Sequence, residues 1–348
     1  IINDLLEEGS RDYYDVENLF IELECLLDLD PDEKNYDRVY DQIVCFGELI
    51  STKIVSQYLN RQDISNRWLD ARNFVVTSDH HRRARVDWER TESLIGKMVK
   101  KLVSKQLVLT QGFIGRSTNN QSTTLGREGS DYSAAIFAYC LNADSVTIWK
   151  DVPGILNADP KRVQETHLLP EISFKEAIEL AYYGASVIHP KTIQPLMRKN
   201  IPLNVRSFVD PESEGTVVRD HKLLDVIEQP CYIFKDNQTL ISISSRDFSF
   251  IVEDHLSQIF EAFVSCGIQV NLMQNTAISF SVCINNDERR LKPLIEILEN
   301  DFNLERCDGF ELLTVFNYRS PEDIEAFISG KKLILEHKTG KTLQLLLD

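Results

Sequence analysis

The ten residues Thr123-Thr124-Leu125-Gly126-Arg127-Glu128-Gly129-Ser130-Asp131-Tyr132 sit between two kinds of periodicity. Upstream, Leu107–Thr110 is a short apolar run of the length of a buried strand, followed by a polar stretch from Arg116 to Ser122. Downstream, Ala134, Ala135, Ile136, Phe137 and Ala138 open a helical stretch over 130–142. Strand, glycine-bearing loop and helix start, in that order, make a place where an anion is welcome. Glycines at 126 and 129 let backbone approach a ligand closely. The first N–H groups of the helix have no intrahelical partner. Arg127 adds a two-pronged donor for carboxylate or phosphate, and Asp131 can orient a cation or a Mg²⁺ ion. The competing reading is a flexible polar loop with Ser130 or Asp131 as an ordinary helix cap. The complete ten-residue string favours binding.

Working outward, Asn73–Thr77 and Val146–Trp149 read as further buried strands, and 88–104 and 174–189 as helices. Residues 1–60 read as helical, and from Tyr36 to Leu59 apolar residues recur mostly at spacings of three and four, interrupted by Gly47. Strands alternating with helices predict an α/β fold with a mainly parallel sheet sandwiched by helices. Near 210–230 the composition breaks at Asp210-Pro211-Glu212-Ser213-Glu214-Gly215, a turn-rich connection. Beyond it the pattern predicts strand 239–245, helix 253–265, strand 268–274, strand 277–284, helix 287–299 and strand 302–307. This is the ferredoxin-like order. Strand 310–316, helix 321–328, strand 331–337 and strand 341–347 then start a second unit of the same topology, which stops before its last helix and strand. The expected division is 1–228 and 229–348, the latter holding a complete unit at 239–308 and an incomplete one at 309–348.

The chain has 348 residues, of which 43% are apolar, enough for a sizeable core. Lys and Arg total 38 against 54 Asp and Glu, a net charge of -16. That field disfavours nucleic acid and anionic membranes as partners, and a bound anion needs a local cationic site. No apolar run reaches the ~18 residues of a membrane-crossing helix. The seven cysteines, at 25, 45, 140, 231, 266, 283 and 307, form no C-x-x-C pair. They predict free thiols and a cytoplasmic location. Ile1-Ile2-Asn3-Asp4-Leu5-Leu6 begins without Met and reads as the middle of a helix, so a preceding segment is expected.

Four further groups can carry chemistry. The strand Thr147-Ile148-Trp149 ends in Lys150-Asp151 and a Pro153-Gly154 turn. Ligands of parallel α/β sheets sit beyond such strand ends, where Lys150 suits phosphate and Asp151 suits Mg²⁺ or a ribose hydroxyl. Asn157-Ala158-Asp159-Pro160-Lys161 offers another turn and cation. In Tyr182–Pro190, Gly184 and Ala185 permit close approach, and His189 is read as a cap or packing residue rather than an acid–base group. Glu48, flanked by Gly47 and apolar residues, is expected to be partly buried and to need a cationic partner, which the ammonium group of an amino acid would supply. His80-His81 reads as surface.

Together, Phe46–Thr52, Thr110–Gly115, Thr123–Tyr132, Trp149–Ile155 and Tyr182–Pro190 resemble, in the same order, the motifs of the aspartokinases of the amino-acid kinase superfamily. The resemblance runs from about Phe46 to the end and looks closest to the single-function, lysine-type branch. It implies an amino-acid kinase fold with C-terminal ACT domains. It also implies transfer of the ATP γ-phosphoryl group to the β-carboxylate of L-aspartate, first step toward lysine, threonine and methionine. By position, Glu48 resembles the aspartate-binding glutamate, and Arg127, Gly129 and Ser130 match the substrate loop. Asp131 is the charged group near the phosphates and, with Arg127, the implied catalytic pair. Lys150, Asp151, Lys161, Ser186 and Val187 fall on nucleotide-contacting positions, with ATP and Mg²⁺ implied and no metal ligand assigned. Asp254, Asn271 and Asn275 fall where an effector binds, lysine first and threonine second; the competing reading is a first-turn acid and turn amides. A homodimer through the ACT domains is implied.

Three departures stand against this pattern. The family's Lys-Phe-Gly-Gly strand and loop, whose lysine holds the phosphates, is absent from the chain and is expected in a preceding segment. Many members carry Lys where Ser186 stands, and Lys150 often corresponds to Thr. Glu128 replaces a common Gly and is expected to point away from the transferring phosphate. The rival readings are another amino-acid kinase, of the acetylglutamate or glutamate 5-kinase kind, and a catalytically inactive amino-acid sensor.

Overall fold

A computed structural model describes residues 2–27, 35–185, 187–220, 227–247 and 249–348. The chain divides into two compact units. One comprises Ile1–Gly154, Pro170–Ile178 and Val187–Lys222; the other comprises Ile155–Leu169, Glu179–Ser186 and Leu223–Asp348.

The first unit opens with helices α1 (Ile2–Leu5), α2 (Arg11–Leu27) and α3 (Tyr36–Arg61). Strands β1 (Asn66–Leu69) and β2 (Val76–Thr77) follow, then α4 (Trp88–Leu94) and α5 (Lys100–Val103) joined by a π-helical turn at Ile95–Val99. The predicted helix 88–104 is therefore one rod with a widened turn, placed where Gly96 weakens the α-helix. Asp87 starts it, accepting a hydrogen bond from the Arg90 N–H at 3.1 Å. Next come β3 (Leu107–Thr110), β4 (Ile114–Ser117), β5 (Ser122–Thr124), α6 (Gly129–Leu141) and β6 (Val146–Lys150). Asn142 ends α6 in the left-handed region, where its N–H reaches the Ala138 carbonyl. The remaining elements are β7 (Glu171–Ser173), α7 (Phe174–Tyr183), whose residues beyond Ile178 count with the second unit, α8 (Pro190–Lys199), β8 (Leu203–Ser207) and β9 (Thr216–Arg219). A capping box starts α7: Ser173 Oγ accepts from the Glu176 N–H at 3.1 Å while Glu176 Oε2 accepts from the Ser173 N–H at 2.8 Å.

Four of the strand pairs are parallel, β1–β3, β2–β4, β6–β8 and β7–β9; β4–β5 and β8–β9 are antiparallel. The mainly parallel α/β architecture stands, distributed over three sheets. Two expected elements are corrected. Asn73–Thr77 is not one strand, because Asp70 caps a 3-10 turn at Ala71–Asn73 and extended pairing begins only at Val76. The helix 174–189 stops at Tyr183, where Gly184 at φ +118 leaves helical space, and Pro190 starts α8 anew.

The second unit is built on one six-stranded antiparallel sheet. Its elements are β10 (Cys231–Ser245), α9 (Glu253–Ser265), β11 (Val270–Asn275), β12 (Ser279–Asn285), α10 (Glu288–Leu298), β13 (Phe302–Phe316), α11 (Glu325–Ile328), β14 (Leu333–Thr339) and β15 (Thr342–Leu347). The order β11-β12-β10-β13 is that of a ferredoxin-like, ACT-type fold, and β15 and β14 extend it. The expected strands 302–307 and 310–316 are halves of the single strand β13, which pairs along nearly all of β10. Two β-α-β-β units thus share two strands. Ile241, Ile243, Val282, Ile284, Ile259, Phe263, Leu291 and Leu294 form the core of the first. Leu313, Val315, Leu343 and Leu345, packed against Phe327, form that of the second. The predicted helix 321–328 is a 3-10 turn at Pro321–Asp323 and the single turn of α11.

Candidate active site

Strand β5 carries only polar residues, yet all three are buried. Burial is tolerated because each is matched. Thr123 Oγ1 lies 2.7 Å from Thr77 Oγ1, the Ser122 carbonyl accepts from Gln42 Nε2 at 2.9 Å, and Asp41 takes both Thr124 donors. Below the strand the chain turns sharply. Gly126 has φ +81, and a Cβ there would sit 3.0 Å from the Arg82 carbonyl. Glu128, at φ +54, also stands in the left-handed region and leads directly into α6.

The loop at Gln111–Phe113 presses on this helix start. A Cβ on Gly129 would fall 2.6 Å from the Phe113 ring, and one on Gly112 would fall 2.8 Å from Ser130 Cα. The Phe113 N–H donates to Ser133 Oγ at 2.9 Å. These contacts hold the first turn of α6 with Ser130 exposed and Gly129 buried. Neither the Ser130 nor the Asp131 N–H has an intrahelical acceptor, as at any helix start.

Across this turn Lys150 Nζ reaches Asp131 Oδ2 at 2.7 Å, the side chains being 25% and 14% exposed. The end of β6 and the head of α6 are therefore one charged cluster. Asp151, the next residue, is exposed, and among the described residues its carboxylate has no hydrogen bond or ion pair. Arg127 projects outward, 79% exposed, with Glu128 Oε1 4.0 Å from its Nε. Glu48 is half-buried on α3, and desolvation raises its pKa above the usual carboxylate range. Among the described residues its carboxylate has no hydrogen bond or ion pair.

Glu128 Oε2 is buried without a hydrogen-bond partner. His189 is near it, and burial holds the imidazole below its ordinary pKa against the raising effect of the Glu128 charge. His189 caps α8 through Nδ1, which accepts from the Lys191 N–H at 3.1 Å, as the sequence predicts. Val187 is half-buried in the turn before α8, and Ser186 lies outside the described residues. Lys161 belongs to the second unit and is exposed, its N–H donating to Asp159 Oδ1.

Sequence reasoning missed Asp41. It is fully buried on α3 and accepts from the Thr124 N–H (3.0 Å), Thr124 Oγ1 (2.8 Å) and the Arg82 N–H (2.9 Å). His81 Nδ1 lies 3.2 Å from it, so His81 is part of the interior and only His80 is surface. The available signal was an acid at a core position of the α3 pattern. One turn on, burial pushes the Cys45 thiol up to about 12, with the Asp41 charge adding to it.

In the second unit the three expected effector residues are spread out. Asp254, in the first turn of α9, lines a cavity of about 540 Å³ with Ser245, Asp247 and His255. Asn271 sits at the other end of β11 from Asn275, in a side-chain network with Lys235 Nζ (2.9 Å), Gln238 Oε1 (2.8 Å) and Asn285 Oδ1 (2.8 Å). Asn275 is exposed. Among the described residues no cluster of His, Cys, Asp and Glu could hold a metal ion by itself. No helix of the described residues is long and apolar enough to cross a membrane.

A mainly parallel α/β unit with a cation at a strand end beside a helix start is joined in this chain by an ACT-type antiparallel unit. The signature of the amino acid kinase family matches residues 2–207, and the chain belongs to that family. It is 35% identical over 249 residues to the lysine-sensitive aspartokinase 3 of Escherichia coli strain K12, covering 70% of this chain and 54% of that protein. The chain thus spans about half the length of that curated relative. Its fold superposes on E. coli aspartokinase III in complex with aspartate and ADP, in the R-state. The TM-score is 0.82 at 27% identity, covering 100% of this chain and 80% of that one. The T-state structure of E. coli aspartokinase III, in complex with lysine and aspartate, gives a TM-score of 0.79 at 28% identity, covering 99% and 80%.

Proposed function

We propose that this chain carries out the aspartate kinase reaction, transferring the γ-phosphoryl group of ATP to the β-carboxylate of L-aspartate. The observation that carries the reading is the 2.7 Å pair of Asp131 and Lys150. It joins the two motifs assigned to the substrate and the nucleotide, beside the outward Arg127. The likeness to a structure bound to aspartate and ADP supports it.

The acceptor needs no general base, because a carboxylate of pKa ~3.9 is already ionised at neutral pH. Catalysis then rests on alignment and charge neutralisation. Arg127 grips the α-carboxylate and Glu48 the α-ammonium group. A cation there would satisfy a half-buried acid that desolvation leaves uncomfortable when charged. Ser130 is exposed to a ligand at the helix start, which the close packing of Gly129 on Phe113 sets in place; Lys150 meets the phosphates, and the resemblance also assigns Lys161, Ser186 and Val187 to the nucleotide. Asp131 and the unengaged Asp151 suit a phosphate-bound Mg²⁺, which takes one or two carboxylates besides phosphate oxygens. That ion would supply charge neutralisation on the phosphates.

The catalytic region runs to about residue 228 and the ACT region from 229. Asp254, Asn271 and Asn275 mark effector positions, with lysine the first candidate and threonine the second. Exposed Phe250, Val252, Val264, Met273 and Ile278 in the second unit favour a homodimer through the ACT region. The location is cytoplasmic. The test is ATP-dependent aspartyl-hydroxamate formation by the protein expressed from its complete reading frame, with and without lysine. Arg127→Ala is expected to raise the aspartate KM about tenfold or more with little change for ATP. An unchanged aspartate KM with altered ATP binding overturns the Arg127 assignment. No aspartate-dependent turnover overturns the reaction.

A further inference from the structure

Helix α3 carries three acids on one face, Asp37, Asp41 and Glu48, of which Asp37 is exposed. Asp41 and Glu48 are seven residues apart, which on an α-helix is a rise of about 10 Å and a rotation mismatch of only ~20°. Glu48 faces a region where nothing in the described protein satisfies it. Asp41 is its opposite, fully buried and saturated. Three donors converge on its carboxylate, two from Thr124 and one from the Arg82 backbone, and His81 Nδ1 lies 3.2 Å away.

The partners are not scattered. Thr124 ends β5, three residues before Arg127. Arg82, at φ +62, supplies the carbonyl against which Gly126 packs. The Ala84 N–H donates to the Thr124 carbonyl at 2.9 Å, so the 81–84 turn and the end of β5 are themselves tied together. Gln42 and Cys45 add bonds from α3 to the Ser122 and Thr123 carbonyls. Asp41 is thus the one charged group among the described residues that fixes α3 to both sides of the loop opening into Arg127.

We propose that Asp41 is the positioning residue of the aspartate subsite: it locks the axial setting of α3 against β5 and so fixes Glu48 relative to the Arg127–Ser130 loop. This rests on the assignment of Glu48 and Arg127 to one substrate. A neutral residue at 41 weakens the hold on Thr124 and on the 81–84 turn together, leaving the Asp37–Arg82 ion pair at 3.2 Å and the Gln42 and Cys45 bonds to keep α3 in contact. It lets α3 slide or rotate, and the two ends of the substrate grip lose their spacing. The nucleotide side is held in addition by the 2.7 Å Lys150–Asp131 pair.

The test uses the full-length protein with Asp41→Asn, Thr124→Val and Thr124→Ser. Losing hydrogen bonds to a buried charge predicts an aspartate KM raised at least ~10-fold in D41N, and less in T124V, with kcat and the ATP KM within about 3-fold. T124S keeps the hydroxyl and is expected to match wild type. Hydrogen exchange of the peptide spanning 122–130 is the second readout. It is expected to be at least ~10-fold faster in D41N and T124V than in wild type and T124S, and it needs no turnover. A folded D41N with unchanged aspartate KM, or one that loses kcat while keeping KM, overturns the proposal; so does unchanged exchange at 122–130. If D41N does not fold, the T124V and T124S comparison decides by the same criteria. A wild-type protein without aspartate-dependent turnover refutes the reaction instead, and the exchange readout still judges Asp41.

Discussion

Replacing Gly112 by Ala tests the packing that holds the head of α6. The new methyl would lie 2.8 Å from Ser130 Cα, 2.9 Å from Ser130 Cβ and 3.1 Å from Ser130 Oγ. Carbon atoms rest at about 3.5–4.0 Å, so the overlap is ~0.7 Å or more. A rotamer change relieves the contacts to Cβ and Oγ but not the one to Cα, which is backbone. Either the 111–113 loop or the first turn of α6 must move. Overpacking of this kind costs about 1–3 kcal/mol, or roughly 3–10 °C in Tm for a region of this size. The functional loss should be larger than the stability loss implies. Displacing Ser130 and Asp131 by a sizeable fraction of an ångström costs up to ~100-fold in an aligned transfer, so kcat/KM is expected to fall about 10- to 100-fold. Thermal unfolding and the hydroxamate assay measure the two effects, with Gly96→Ala as control, since nothing lies within 4 Å of that position. A Gly112→Ala protein with Tm within about 1 °C and kcat/KM within about twofold of wild type would refute the packing argument.

Gly47→Ala separates stability from binding. Position 47 is helical with nothing within 4 Å, so Ala should stabilise by about 0.5–1 kcal/mol in urea unfolding while raising the aspartate KM if ligand occupies the space beside Glu48. Glu48→Gln should stabilise the protein near neutral pH and do nothing at low pH. Because folding raises the Glu48 pKa, the folded state holds the proton more tightly. Stability is lost as pH climbs from the unfolded to the folded pKa, and Gln escapes that loss; denaturation at pH 3 and pH 7 checks it. Asp131→Asn strands Lys150 in a site 25% exposed and is expected to cost about 1–3 kcal/mol, partly recovered by adding Lys150→Met. Iodoacetamide should label Cys25 and Cys307 first in the native protein, as both are exposed. Burial pushes Cys45, Cys140 and Cys283 up to about 12, and they should react only after unfolding, as peptide mapping would show.

The elements that were legible were those whose pattern follows from local burial. Val146–Trp149, α6 and the β-α-β-β-α-β order from Thr239 onward were readable because one face of each is apolar at the proper period; Leu107–Thr110 is a strand as expected but not a buried one, for Leu107 is exposed and the other three are half-buried. Strand β5 was not, because Ser122, Thr123 and Thr124 are polar and buried by virtue of partners in α3 and β2. The 174–189 segment misled because its apolar residues continue past Tyr183 while Gly184 bends the backbone.

The sequence by itself determined the family-bearing strings, the two-part α/β and ACT-type organisation, the cationic strand end at Lys150 and the anion-receptive helix start at Gly129. All of these reside in neighbouring residues. Tertiary structure alone decided that Lys150 meets Asp131, that Glu128 Oε2 is buried, and that Asp41 accepts both Thr124 donors. Those are contacts between groups 19 to 83 positions apart. Whether a buried charge is tolerated depends on donors brought to it by folding, which no local pattern encodes.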